Sequence, residues 1–141
     1  IPAASRIGAR LPLHATGIGK ALLAFQPPAY VDALMQRPLE RNTQFTKADP
    51  SSLRRELALI RTRGYSTSSQ EYVMGATSIA VPVLIDDRAI AALGIINYQM
   101  RDDLEQYADD CLAAAAAISQ RLQLAPDDPF PSIILDLADN P

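Results

Sequence analysis

The sequence predicts an α+β fold, an antiparallel sheet flanked by helices, and three observations carry that expectation. Two apolar runs, Ser78 to Ile85 and Ala89 to Asn97, are separated by the polar turn Asp86-Asp87-Arg88 and read as paired strands. Leu53, Leu57 and Ile60 recur at helical spacing behind Asp49-Pro50, a strong helix start. A long helix is expected from Asp102 to Leu124, with an Ala113 to Ala117 run of high intrinsic helicity. Helices and strands of this kind must bury their apolar faces on one another, which gives a sheet with helices packed against it.

The elements follow in order. Ile1 to Arg10 mixes small, apolar and basic side chains and reads as an entering strand or loop. Pro12 interrupts regular structure, and Thr16-Gly17 supply a cap and a tight backbone. From Ile18 a helix is expected with Ile18, Leu22 and Phe25 on one face, ended by Gln26-Pro27-Pro28. A second short helix, about Ala29 to Gln36, is expected to bury Val31, Leu34 and Met35 in part, and Arg37 to Lys47 reads as a connecting loop. In the next helix Asp49 caps, and Pro50 occupies the first turn, where its missing N–H costs nothing. Arg54, Arg55, Glu56 and Arg61 are expected to face water, and Gly64 to supply the left-handed stop.

Tyr65 to Glu71 is extended and rich in hydroxyls, with a turn around Met74-Gly75 before the paired strands. Both of those strands are apolar at nearly every position, so both sheet faces are expected to be covered. Pro82 cannot donate a ladder hydrogen bond and needs an edge or a bulge. The last helix carries Leu104, Ala108, Cys111, Leu112, Ala115, Ile118 and Leu122 along one stripe. The tail from Pro126 is rich in proline and aspartate but includes Ile133-Ile134-Leu135, and either docks or stays partly loose.

Composition bounds the function. The 141 residues fit one domain, and 48% hydrophobic with 21% charged residues allows a real core. No apolar run reaches the roughly 18 to 20 residues of a membrane span, and no secretory signal opens the chain. An opening at Ile1 rather than Met is expected of a piece cut from something longer. A net charge of −3 argues against direct phosphate neutralisation. One cysteine, Cys111, and one histidine, His14, exclude an internal disulfide, a thiolate cluster and a multi-histidine metal site. No metal or cofactor is expected, and a reducing cytoplasmic setting fits.

Chemistry has few places to sit. The segment Leu13-His14-Ala15-Thr16-Gly17-Ile18-Gly19-Lys20 begins a helix, whose unpaired N–H groups and partial positive charge suit an anion. A small carboxylate could dock on the N–H groups of Gly17 and Ile18. Equally, Gly17 and Gly19 could serve a tight turn and close packing of the helix on the sheet. It is not a phosphate-binding P-loop, since the first glycine and the hydroxyl after lysine are absent. His14 has no nearby carboxylate to orient it as a base, so a structural role is the better expectation. Ser66, Thr67, Ser68 and Ser69 lack a nucleophile elbow and read as exposed or strand-edge hydroxyls. Glu71 and Ser78 lie on segments that could line one cavity. No catalytic residue is assigned, and an enzyme is not expected.

A family likeness emerges from these motifs. Arg10-Leu11-Pro12-Leu13-His14-Ala15-Thr16-Gly17-Ile18-Gly19-Lys20-Ala21-Leu22-Leu23-Ala24 resembles the signature of IclR-family effector-binding domains. Leu57 to Tyr65, then Glu71, Gly75, and Ile79-Ala80-Val81-Pro82-Val83 continue it, and Ala91-Ala92-Leu93-Gly94-Ile95 stands where that family has its last core strand. The match runs in unbroken order from about Ile7 to Leu124.

The resemblance implies a GAF-like (profilin-like) fold over residues 1–125 that senses a small, often carboxylated metabolite, with 126–141 a C-terminal tail. It also implies a homodimer or homotetramer that meets DNA only through an N-terminal winged helix-turn-helix outside this sequence, with the first part of the sensing domain outside it as well. Carried over residue by residue, the ligand-binding positions are Gly17, Ile18, Ser68, Ala76, Ser78, Gly94 and Ile96. Relatives commonly have acids at Ser68 and Ser69, a cysteine at Ser78, and small hydroxyl residues near Gly94 and Ile96. Those departures imply a bulkier, less hydrated effector than a two- or three-carbon keto acid, such as an aromatic or aliphatic acid. The competing expectation is an oligomerisation scaffold of the regulator without a functional pocket. A small hydrolase is a third class, disfavoured by the lack of a base with an orienting partner.

Overall fold

The computed structural model describes residues 6–100 and 103–124. The element order is α1 (Gly17–Ala24), α2 (Pro28–Met35), α3 (Pro50–Arg63), β1 (Ser66–Ser69), β2 (Thr77–Ile85), β3 (Arg88–Asn97), a 3-10 turn (Leu104–Tyr107) and α4 (Ala108–Leu124). The three strands form one antiparallel sheet in the order β1-β2-β3. This is the α+β arrangement expected, and residues 6–16 enter it without a strand. Ile1 to Ser5, Asp102 and the tail 126–141 lie outside the described residues.

Caps set the helix limits. Thr16 Oγ1 accepts from Gly19 N–H at 3.1 Å and donates to the Pro12 carbonyl at 2.9 Å, which begins α1. Asp49 accepts from Ser52 N–H at 2.9 Å ahead of Pro50, and Gly64 ends α3 at φ +87°, a conformation that costs glycine little.

Period-2 alternation along β2 divides the protein into three layers. Ile79, Val81 and Val83 turn towards the last helix and bury Leu104, Ala108, Cys111 and Ala115. The alternate residues Ser78 and Ala80 turn towards α1. There α1 lies so close to the sheet that a Cβ on Gly17 would sit 2.5 Å from Ser78 Oγ. A Cβ on Gly94 would come within 3.1 Å of Ala80 Cβ and 3.2 Å of Ile18 Cγ2. Beyond α1, a second core joins Leu23, Ala24, Val31, Met35, Leu53, Leu57 and Ile60.

Several expectations need correction. In α1 the deeply buried face is Lys20, Ala21, Leu23 and Ala24, while Ile18, Leu22 and Phe25 are half-buried, because α3 and the sheet grip the helix from two sides. Glu56 does not face water; it shares the inward face of α3 with Leu53, Leu57 and Ile60. The last helix is not continuous: a 3-10 turn precedes α4, and Ile118 is 39% exposed, outside the buried stripe. β2 is covered on both faces, but β3 is not. As the edge strand it leaves Ile95 and Ile96 37% and 43% exposed. Pro82 sits in the central strand, yet β1 reaches only Ala80, so Pro82 pairs on one side, with Ala92, just before a bulge at Val83/Leu84.

The β2–β3 connection is a two-residue turn in which Asp86 and Asp87 both hold positive φ, +50° and +61°. That is the primed geometry a right-twisted hairpin prefers, and glycine suits its second position best. Asp87→Gly is expected to raise stability by roughly 1 kcal/mol by removing left-handed strain, measured as a higher urea midpoint with unchanged slope.

Candidate functional site

The functional candidates converge on the start of α1. A cavity of about 230 Å³ opens there, between the α1 N-terminus, β1, the 70–76 connection and the ends of β2 and β3. Gly17 and Ile18 form its helical end, Ser68 and Ser78 its hydroxyl-bearing floor, and Ala76, Gly94 and Ile96 line it as well. All seven positions expected from the sequence therefore line one space. Leu11, Ala15, Tyr72, Val73 and Tyr98 also line it and were not foreseen, since isolated apolar residues in loops carry no periodic signal. The volume lies just under the ~300–1,000 Å³ usual for small-molecule sites, so the space suits one small ring or a short chain.

The helical end is the polar pole. Thr16 Oγ1 satisfies Gly19 N–H, and the Thr16 carbonyl accepts from Lys20 N–H at 2.9 Å. The N–H groups of Gly17 and Ile18 precede these and are the leftover donors of a helix start, with the helix's partial positive charge behind them. Most of the remaining wall is apolar, which strengthens any charge interaction made there.

Behind the cavity lies a charge cluster. Lys20 is fully buried, and its Nζ donates to Glu71 Oε1 at 2.8 Å, to the Thr67 carbonyl at 2.7 Å and to Glu56 Oε1 at 3.3 Å. Lys47 Nζ stands 3.2 Å from Glu71 Oε1 and 3.5 Å from Glu56 Oε2, and Arg63 adds a longer approach of 3.9 Å to Glu56. Glu71 lines the cavity and is itself buried; its backbone carbonyl accepts from the Thr46 hydroxyl. Burial pushes the Lys20 ammonium below its ordinary value, with Glu71 pulling it back, Lys47 lowering it further and Glu56 opposing. Burial also pushes Glu56 up, but the nearby Lys20 and Lys47 outweigh it and leave the carboxyl below its ordinary value.

The other candidates fall into structural roles. His14 is buried, with Nε2 2.7 Å from the Glu40 carbonyl, tying the α2–α3 connection to the start of α1. Ser66 and Ser68, expected as exposed or strand-edge hydroxyls, do lie on an edge strand but are buried; Ser66 Oγ donates to the Gly17 carbonyl. The sequence reading missed the Lys20–Glu56–Glu71 cluster. Helical spacing held the signal, since Lys20 falls on a face with Leu23 and Ala24, and Glu56 with Leu53, Leu57 and Ile60.

Two outcomes are expected of this cluster. Lys20→Ala strands Glu71 without its closest cation and should cost about 3–5 kcal/mol in urea unfolding. Because the fold holds Glu56 below its ordinary 4.5, the unfolded chain takes up that proton first as the pH falls. The stabilisation is therefore complete above about 4.5 and lost as the pH drops through the lower folded value. Thermal unfolding should show a gap between the native protein and Glu56→Gln at neutral pH that narrows in acid.

Comparison with known proteins gives this geometry a context. Residues 1–120 match the model of the family described as bacterial transcriptional regulator IclR C-terminal. The HTH-type transcriptional regulator XynR of Escherichia coli (strain K12) is 39% identical over 125 residues, covering 84% of this chain and 49% of the relative. Among solved structures, an IclR homolog from Microbacterium hydrocarbonoxydans complexed with 4-hydroxybenzoate superposes with a TM-score of 0.79 at 31% identity. It covers 88% of this chain and 51% of that one. A double mutant of the PobR transcription factor inducer-binding domain from Acinetobacter, complexed with 3-hydroxybenzoic acid, gives 0.72 at 30% identity over 86% of this chain and 71% of that one. The chain thus spans about half the length of the XynR relative, and it shares the GAF-like α+β fold of its structural neighbours. These relatives are named as regulators, not enzymes. On the extent of the family match and of these likenesses, the chain belongs to the IclR family of bacterial transcriptional regulators, as its C-terminal domain.

Proposed function

We propose that the cavity at the start of α1 binds a small carboxylic acid and that the domain is the effector-sensing unit of a transcriptional regulator. The observation that carries this is the convergence of Gly17, Ile18, Ser68, Ala76, Ser78, Gly94 and Ile96 on one mostly apolar space, with open helix N–H groups at one end. The carboxylate docks on the N–H groups of Gly17 and Ile18. The apolar body of the ligand packs against Ile18, Ala76 and Ile96. That lining favours an aromatic or branched aliphatic acid over a two- or three-carbon keto acid, which would leave apolar wall uncovered. The hydroxybenzoates bound by two solved relatives are acids of this size class.

In this reading residues 1–125 form the sensing domain. The regulator is a homodimer or homotetramer, and a winged helix-turn-helix elsewhere in it contacts DNA. Effector binding favours one arrangement of the sensing domains and so shifts the population of DNA-binding states, with a coupling of about 1–3 kcal/mol typical of such linkage.

Thermal unfolding against benzoate, branched aliphatic acids, pyruvate and glyoxylate tests this. An acid at about 100 times its dissociation constant contributes roughly 2.7 kcal/mol, a rise of several degrees in the midpoint. The expected order is benzoate and branched acids above pyruvate and glyoxylate, with the shift lost in Ala76→Phe, whose ring fills the cavity. Best binding by a keto acid would refute the proposed size class. No shift with any acid would instead favour an oligomerisation scaffold without a functional pocket.

A further inference from the structure

The far end of α1 carries a second cavity, of different character. It measures about 660 Å³ and lies where the end of α1, the start of α2, α3 and the β2–β3 turn meet. Phe25, Pro27 and Pro28 supply its apolar lining together with buried Val31 and Leu57, and the exposed Arg54, Arg61 and Arg88 stand around it. Its backbone acceptors are already served. Arg61 Nη1 donates to the Ala24 carbonyl at 3.1 Å, and Gln26 Nε2 donates to the Leu22 and Ala89 carbonyls at 3.0 and 2.9 Å. Of the two acids in the lining, Asp32 pairs with Arg54 at 2.8 Å and Asp87 belongs to the turn. Arg61 spends one contact on the Ala24 carbonyl and Arg88 one on Gln26 Oε1 at 3.4 Å, whereas a guanidinium has five N–H donors. The cavity thus offers mainly cationic donors beside apolar carbon, which suits a partner both acidic and apolar.

The sequence holds such a partner. Residues 125–141 contain Asp127, Asp128, Asp136 and Asp139, no basic residue, and the apolar Phe130 and Ile133-Ile134-Leu135. Those aspartates alone exceed the chain's whole net charge of −3, so its acidity is concentrated there. α4 delivers this segment to the matching end of the sheet. Ser119 Oγ donates to the Leu84 carbonyl, and Leu122 packs against the Val81 and Val83 cluster. The helix therefore finishes beside the β2–β3 turn, whose Asp87 and Arg88 line the cavity. Residues 125–141 span up to roughly 55 Å when extended, ample to round that turn. We propose that residues 125–141 fold back around the β2–β3 turn and dock in this cavity, with aspartates on Arg61 and Arg88 and Phe130 on the apolar lining. Pro126, Pro129 and Pro131 fix φ in the first half of the segment, so docking it costs less conformational freedom than docking an ordinary linker. The docked segment straps α1, α3 and the hairpin together, and it is independent of the acid-binding reading.

The chain contains no tryptophan, so Phe130→Trp in the full 141-residue chain gives a single reporter. Its native emission should lie to the blue of the urea-unfolded protein and resist acrylamide quenching, equally at every protein concentration. Adding Arg61→Glu and Arg88→Glu turns two exposed ion pairs into repulsions and should cut the docked-to-undocked ratio on the order of 10-fold, read as a red shift. Adding Asp127→Lys and Asp128→Lys to that variant should restore the blue emission. If the double arginine variant fails to fold by circular dichroism, Arg88→Glu with and without Asp127→Lys makes the same comparison at an exposed turn residue. Native emission like that of the unfolded chain would overturn the proposal, as would a red shift that the lysines do not reverse. Blue emission indifferent to the arginine reversal would overturn it by placing the segment elsewhere, such as on Ile95 and Ile96 of β3. Blue emission that grows with protein concentration would overturn it in favour of docking on a second copy.

Discussion

A lysine ammonium with no path to water is the constraint around which this domain is arranged. Lys20 comes from α1, Glu56 from α3, the Thr67 carbonyl from β1, Glu71 from the connection that follows β1, and Lys47 from the linker before α3. Three parts of the cavity wall, α1, β1 and the connection after β1, are thereby tied through one cluster to α3 and the linker before it. Such a cluster is poor evidence for stability, because desolvating its members costs much of what their attraction returns. Its effect is positional. Sliding α1 along the sheet would strand a charge in a region that cannot solvate it, so the helix start is held at one height relative to Ser68 and Ser78.

The second constraint is steric and acts on the same helix. Gly17, Ser78, Ala80 and Gly94 are small because α1 meets the sheet where ordinary side chains would collide. This close approach brings the first N–H groups of α1 to the cavity instead of to bulk water. The ion cluster fixes the helix along its axis, and the small residues fix its distance from the strands. Together they set the start of α1 against a mostly apolar chamber.

Much of this was legible in the sequence. The hairpin, the Asp49-Pro50 start, the Gly64 stop and seven of the positions lining the cavity follow from periodicity, turn chemistry and family resemblance. What escaped was the behaviour of residues that break their type's habit. Glu56 is charged and was expected to face water on that ground, although it lies on the apolar stripe of its helix, as Lys20 does in α1. β3 is as apolar as β2, and composition cannot reveal that it stands at the sheet edge. The break before α4 is equally hidden, because the Leu104 and Ala108 spacing suits a continuous helix as well as a 3-10 turn leading into one.

The packing of α1 on the sheet also bears on how such a domain diversifies. Where α1 meets the sheet, a Cβ added at Gly17 would meet the Ser78 hydroxyl at 2.5 Å and one at Gly94 the Ile79 carbonyl at 2.9 Å, so a side chain at either must push its neighbours aside. The rim, at Ile96 and Tyr98, is 43% and 40% exposed and is free to exchange side chains of different bulk and polarity. Divergence among descendants of this fold is thus channelled. Change at the rim can alter the cavity's lining while α1 keeps its seat on the sheet, so the wall can vary without disturbing the closest contact in the fold.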